Sequence, residues 1–402
     1  MIQDLDTLFS QSAGRMRRSA IRELLKLTNK PDIISFAGGL PAPECFPVQQ
    51  IKEIVAEMMD KEGTKAMQYG ATEGDQLLRE QLVKRYQQQG LKVELDNLII
   101  TTASQQALDL LPKIFVDPGD IVLCGLPSYL GALQSFVNYG AHMMGIPLDD
   151  KGMRADLLEQ TLSDLKKQGK RAKFVYIIPD FQNPAGITMP KSRRLEIIAV
   201  AKKYGLLIIE DSPYREIRFM GQAQPTLFEL AEPGNVVLLG TFSKTFAPGF
   251  RIGWIIAEPR IIDKVVMSKQ STDLCTAPFV QRIAARYLEK GYFEANLSRI
   301  VENYKEKRNV MINAFKKYMP EGVSWTEPEG GLFLFLTLPE YMDAEDLFKI
   351  AIEEKVAFVL GTSFYCNGKG QNTLRCNFSY MSKELNEEGV KRLAQAVRKL
   401  LK

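Results

Sequence analysis

The chain has 402 residues, 45% hydrophobic and 25% charged, with 29 glycines and 20 prolines; this composition suits a globular protein and argues against a disordered or fibrous one. Lys and Arg number 52 against 48 Asp and Glu, and a formal charge of +4 spread along the chain does not imply nucleic acid as a partner. A single core rarely extends to this length, so one large unit and a smaller one are expected.

In chain order, MIQDLDTLFSQS carries Asp4 and Asp6 where a secretory leader would be basic. No apolar run approaches the roughly 18 residues needed to span a bilayer, so a cytoplasmic protein with no membrane partner is expected. SAIRELLKLT (19–28) reads as a short amphipathic helix with Ile21, Leu24 and Leu25 on one stripe, and FAGGLPAPECFP after it as irregular chain. From about 95 to 260, short apolar runs (LIIT, IVLC, FVYII, LLII, VVLL, IGWII) alternate with amphipathic segments such as SRRLEIIAVAKKY. Runs that are apolar on both faces indicate a mostly parallel sheet flanked by helices, an α/β fold. Pro112 should kink the helix that follows LIIT. Beyond about 290 come a helix from Leu297 to Tyr318 and the strand-like pieces GLFLFL and TLRCNFS. The expected division is a large domain over 46–290 and a smaller α+β domain built from 1–45 and 291–402.

Two residue types narrow the chemistry. The five cysteines, Cys45, Cys124, Cys275, Cys366 and Cys376, are odd in number and form no C-x-x-C pair, so they are expected to be buried small hydrophobes or inert thiols, not metal ligands or a disulfide framework. His142 is the only histidine, lies in the strand-like run AHMMGIP and has no G-x-S-x-G serine to serve. A core or edge histidine is the expectation, and no metal site is expected.

In an open α/β sheet ligands bind beyond the carboxyl ends of the strands. Those ends read TASQQAL, GLPSYLG, PDFQNPAG, EDSPY and GTFSK. Taken singly, each has a plain reading: Ser104 as a helix cap, Asn183-Pro184 as a turn, Asp211 as a cap or ion-pair partner, Tyr129 and Tyr214 as packing aromatics. Lys244 is different. It follows an apolar strand directly, sits between Phe242 and Phe246, and is trailed by Arg251. A lysine held in such surroundings loses proton affinity and becomes a nucleophile or base. Leu238 and Ser243 occupy the positions where a Walker loop requires glycine, and no strand is followed by G-x-G-x-x-G, so neither a P-loop nor a nicotinamide site is indicated. An amine, a carboxylate, an asparagine, two tyrosines and a phosphate cradle with an added arginine are together what pyridoxal 5'-phosphate requires.

With these motifs in order, the chain resembles the fold-type-I pyridoxal-phosphate aminotransferases, specifically the branch of 2-aminoadipate and kynurenine aminotransferases. The resemblance runs from FAGGLPAPECFP through QYGATEG, TASQQAL, PSYLGA, QNPAG, EDSPY and TFSKTFAPGFRIGW to EPEGGLFLFL and LRCNFS. It implies that Lys244 bonds the cofactor aldehyde and later moves the proton. Asp211 would pair with the pyridinium nitrogen, Asn183 and Tyr214 with the phenolic oxygen, and Tyr129 would stack on the ring. The phosphate would fall to Ser104, Gln105, Ser243 and Arg251, with Thr241 a lesser candidate. The resemblance further implies that Arg375 clamps the substrate α-carboxylate, that Gly39 lies beside the substrate, and that Arg22 binds a side-chain carboxylate, with Arg15, Arg17 and Arg18 as alternatives. Tyr69 would reach the phosphate of a neighbouring subunit, making a homodimer with shared sites. The implied reaction moves an amino group from 2-aminoadipate, glutamate or a larger apolar or aromatic amino acid to 2-oxoglutarate by a ping-pong route, with lysine biosynthesis as its setting. Ala103 departs from the glycine common in relatives, and Ala185 from a threonine. A β-lyase or decarboxylase on the same cofactor, and an aminotransferase-like sensor module, are the rival readings.

Overall fold

The computed structural model describes residues 5–18 and 32–401; the expected helix at 19–28 lies outside them. After a short strand β1 (Ile34–Ser35), the apolar runs form β2 (Leu98–Thr101), β3 (Ile121–Leu126), β4 (His142–Asp149), β5 (Gly152–Met153), β6 (Ala172–Ile177), β7 (Leu207–Asp211), β8 (Val236–Thr241) and β9 (Gly253–Ile256). They make one eight-stranded sheet in the order β2-β9-β8-β7-β6-β3-β4-β5. Strands β8, β7, β6, β3 and β4 run parallel, while β9 is antiparallel to both neighbours and β5 is antiparallel to β4. Successive side chains feed opposite faces: Phe174, Tyr176 and Ile209 enter one core, and Val175, Ile177 and Ile208 another. Helices cover both faces, which is why the runs are apolar throughout rather than alternating.

The C-terminal part contributes β10 (Ser324–Trp325), β11 (Phe333–Thr337), β12 (Val356–Ala357), β13 (Val359–Leu360) and β14 (Thr373–Asn377), all but β12 joining in a second sheet. Strands β10, β11, β14 and β13 pair in that order and antiparallel, whereas β12 pairs in parallel with β1. The N-terminal segment is thus stitched to the C-terminal part, and Ala42 N–H donates to the buried Tyr304 hydroxyl at 2.9 Å. Tyr304 belongs to a helix at Tyr292–Tyr318, which starts five residues before the expected Leu297.

Three expectations need adjusting. Pro112 lies in the last turn of the helix Ala103–Phe115, which runs on through it to Phe115; its missing N–H leaves Leu108 O without the usual donor four residues on, close to the helix end. His142 opens β4, which at that end pairs with β3 alone among the described residues, and its side chain is exposed, so the edge reading holds and the core reading does not. Cys45, Cys124 and Cys376 are buried, but Cys275 and Cys366 are only half-buried. Among the described residues no helix is long and apolar enough to cross a membrane, and no group of His, Cys, Asp and Glu is placed to hold a metal.

Candidate active site

The parallel strands end along one edge, and there a cavity of about 1060 Å³ opens between the large sheet, the small sheet and the 39–40 segment. Strand β7 delivers Asp211 as its last residue, and β8 delivers Thr241 with Ser243 and Lys244 in the turn beyond it. The helix Ala103–Phe115 brings Ser104 and Gln105 to the cavity with its N-terminus, and Arg375 comes from β14 of the small sheet.

Lys244 Nζ donates to Gly39 O at 2.8 Å. Desolvation by the surrounding protein, then the charges of Arg375 and Arg251, pull its pKa down to about 8, so the neutral amine, scarce in an ordinary lysine, reaches about one tenth at pH 7. Asp211 is buried and burial raises its carboxyl to about 6, against the Tyr176 hydroxyl, which donates to Oδ2 at 2.6 Å. Its other oxygen, Oδ1, is buried with no partner among the described residues. An orphaned buried carboxylate oxygen calls for a cationic or N–H donor, and a protonated ring nitrogen meets that need.

Asn183 bridges two further residues, its Nδ2 donating to Tyr214 Oη at 3.2 Å and its Oδ1 accepting from Arg375 Nη1 at 2.9 Å. Burial raises the Tyr214 hydroxyl far above its ordinary value, so it stays a donor at neutral pH. Arg375 is 1% exposed; its Nη2 donates to Ala37 O at 2.9 Å, and its guanidinium lies over the Phe333 ring at 4.1 Å. Its Nε has no partner among the described residues. Desolvation lowers its pKa to about 10, which leaves it charged.

Tyr129 donates to Gln105 Oε1 at 3.3 Å, and Gln105 Nε2 reaches Gly131 O at 3.2 Å and Ser135 Oγ at 3.0 Å. A Cβ on Gly131 would stand 2.5 Å from the Tyr129 ring, so any larger residue there would push the ring from its place. A Cβ on Gly253 would lie 2.6 Å from Ser104 N, so the strand β9 backbone passes directly against the start of the cradle helix. Thr241 Oγ1 accepts from Ser243 N at 3.1 Å and bonds Ile252 O at 3.0 Å, so this hydroxyl is engaged within the protein. Arg251, with φ at +53°, donates from its side chain to Pro248 O at 3.2 Å, its one side-chain bond among the described residues, and lines the cavity.

Lys244, Asp211, Tyr129, Ser104, Gln105, Asn183, Tyr214, Ser243, Arg251, Arg375 and Gly39 therefore lie around one cavity. Tyr69 does not line it and is 80% exposed. Arg22 lies outside the described residues; of the three alternatives, Arg18 reaches the cavity lining. Sequence reasoning missed Tyr176, which looks like one more core residue in FVYII, and the carbonyls of Ala37 and Gly39, because backbone contacts leave no residue signature. It also missed the buried Lys269, whose Nζ donates to Gln106 Oε1 at 2.9 Å and Asp273 Oδ1 at 2.7 Å under the cradle helix.

A lysine with a depressed pKa, a buried carboxylate with one free oxygen and an anion cradle at a helix N-terminus fit pyridoxal phosphate. The chain belongs to the aminotransferases of class I and II, whose family model matches residues 40–393. It is a pyridoxal-phosphate-dependent aminotransferase. It is 46% identical to an aromatic-amino-acid aminotransferase of Thermococcus litoralis, over 99% of this chain and 96% of that one. A 2-aminoadipate transaminase of Thermus thermophilus is 41% identical over 98% and 97%. Among solved structures, a Pyrococcus horikoshii kynurenine aminotransferase in complex with PMP is 46% identical, covers 100% of both chains and superposes with a TM-score of 0.96.

Proposed function

We propose that Lys244 takes the proton from the α-carbon of the amino donor, that Asp211 keeps the cofactor's ring nitrogen protonated, and that Arg375 grips the donor's α-carboxylate. When bound, pyridoxal phosphate supplies the electron sink that makes the α-hydrogen removable. Asn183 and Tyr214 would donate to the cofactor's phenolic oxygen, Tyr129 would stack on its ring, and Ser104, Gln105, Ser243 and Arg251 would hold its phosphate, with Thr241 a lesser contributor because its hydroxyl is already bonded. Gly39 lies beside the substrate and orients the Lys244 amine through its carbonyl. Tyr69 completes the cradle of a second subunit in a homodimer. Residues 46–290 make the cofactor-binding unit, and 1–45 with 291–402 the unit that carries the clamp.

The observation that carries this reading is the meeting of Lys244, Asp211 and Arg375 in one cavity, with Asn183 linking Arg375 to Tyr214 beside them. Arg375 suits a carboxylate because its planar fork makes two parallel bonds. The donors are 2-aminoadipate, glutamate and larger apolar or aromatic amino acids, with 2-oxoglutarate as acceptor in a ping-pong cycle. Support comes from the aromatic, 2-aminoadipate and kynurenine aminotransferases to which the chain is similar, and from a lining that offers both Phe333 and Tyr365 and the cation of Arg18. An N-terminal arginine, Arg18 or Arg22, receives the second carboxylate of an acidic donor, and use of 2-aminoadipate would set the enzyme in lysine biosynthesis.

The test is spectroscopic. Each donor is added singly to the loaded enzyme, and a productive one bleaches the visible band, which 2-oxoglutarate then restores. Arg375→Lys should raise KM for every donor, whereas Arg18→Ala and Arg22→Ala, made separately, should raise it for acidic donors alone. A band that no amino acid bleaches would overturn the donor assignment.

A further inference from the structure

Cys124 and Cys366 are 242 positions apart in sequence, yet their sulfurs lie 3.7 Å from each other. Cys124 is the fourth residue of β3, fully buried and in register with Tyr176 of β6. Cys366 follows the turn Gly361–Phe364 of the C-terminal part, is half-buried, and forms part of the active-site cavity wall. The two segments are held at this point by a backbone bond, Ser128 N–H to Phe364 O at 2.8 Å. A sulfur pair so placed has one member reachable from solvent through the cavity and one sealed behind it.

We propose that Cys124 and Cys366 form a dithiol site that a peroxide oxidises to a disulfide, joining the 361–366 segment covalently to strand β3 beside the active-site cavity. Cys366 is the attacking sulfur. The Cys124 thiol donates its hydrogen bond to it and lowers the Cys366 pKa, while the same contact and burial raise that of Cys124. The Cys366 thiolate attacks one peroxide oxygen; the S–O bond forms, the O–O bond breaks, and hydroxide leaves. The Cys124 sulfur then displaces the sulfenic oxygen, which departs as water with the Cys124 proton. The balance is two thiols and one hydrogen peroxide giving one disulfide and two waters. The sulfurs must close to about 2 Å, and the half-buried segment carrying Cys366 makes the adjustment, since Cys124 is fixed within the sheet. The pairing is independent of the roles assigned to Lys244 and Asp211.

The experiment treats the native holoenzyme with stoichiometric hydrogen peroxide, quenches it, and maps non-reduced peptides by mass spectrometry. The expected product is one peptide pair containing Cys124 and Cys366, with two more thiols lost in the wild type than in Cys366→Ser under the same treatment. Amide exchange over 362–367 should slow and Tm should rise, and dithiothreitol should reverse both. Cys124→Ala should instead let Cys366 stop at the sulfenic stage, trapped by a dimedone-type probe. Two thiols intact at these positions after peroxide, a cross-link to another cysteine, or unchanged exchange over 362–367 in the linked protein would each overturn the proposal.

Discussion

The Lys244 amine reacts only after losing its proton, and its pKa of about 8 results from burial and from two arginines that repel its charge. In the cofactor-free enzyme, the rate of pyridoxal phosphate capture should rise with pH to about 8 and level off above it, as the neutral fraction saturates. Stopped-flow absorbance measures this. Lys244→Ala should capture no visible band and lose about 100-fold or more in turnover, the scale of a lost general base. Tyr176 acts one residue further back. Its hydroxyl stabilises ionised Asp211, so Tyr176→Phe should push that carboxyl above its present value of about 6. Cofactor affinity at pH 7 should weaken about 10-fold, the worth of a hydrogen bond to a charged group. The deficit should narrow as pH rises and Asp211 ionises regardless; a deficit that ignores pH would reduce Tyr176 to packing.

Among the elements, the start of the cradle helix carries a local conflict. Ala103 has φ at +59°, a left-handed conformation costing an ordinary residue about 1–2 kcal/mol, and the backbone of Gly253 presses against it. The turn is held down by Gln106, which accepts from Thr102 N at 2.7 Å, and by Asp273, which accepts from Thr102 and Gln106. Ala103→Gly should therefore stabilise the protein by about 1 kcal/mol, read as a higher urea midpoint, with the m-value unchanged. The one sign of this in the sequence is that Ala103 stands where relatives commonly carry glycine; the close approach of Gly253, 150 positions away, cannot be read from it. The central strands were legible because burial on both faces writes a continuous apolar run, as in VVLL and LLII. Strands of two residues, such as β1, β12 and β13, are too short to carry a period, and β1 lies between the expected helix at 19–28 and the irregular FAGGLPAPECFP, where no element is expected. At the site, side chains at strand ends could be read from the sequence; the Lys269 and Tyr176 supports could not, because a buried partner in a helix or strand looks like any core residue.

At the scale of the molecule, Tyr69 stands clear of its own cavity with 80% of its surface exposed. If it serves the partner subunit, Tyr69→Ala and Lys244→Ala damage different chains of the same composite site. Refolding the two variants together should recover about one quarter of wild-type activity, because half the dimers are mixed and each of those has one intact site. No recovery above the separate variants would place Tyr69 outside the site.

Among the described residues, the cavity wall bears the cations of Arg18, Lys244, Arg251 and Arg375 against the one carboxylate of Asp211. Such an excess makes the mouth an electrostatic funnel, and its pull on an incoming molecule grows with that molecule's negative charge. Capture of 2-oxoglutarate, a dianion, should therefore slow more steeply with added salt than capture of a monocarboxylate acceptor. The enzyme would favour dicarboxylates during approach, before any side chain has made contact, and this preference would fade as ionic strength shortens the reach of the field.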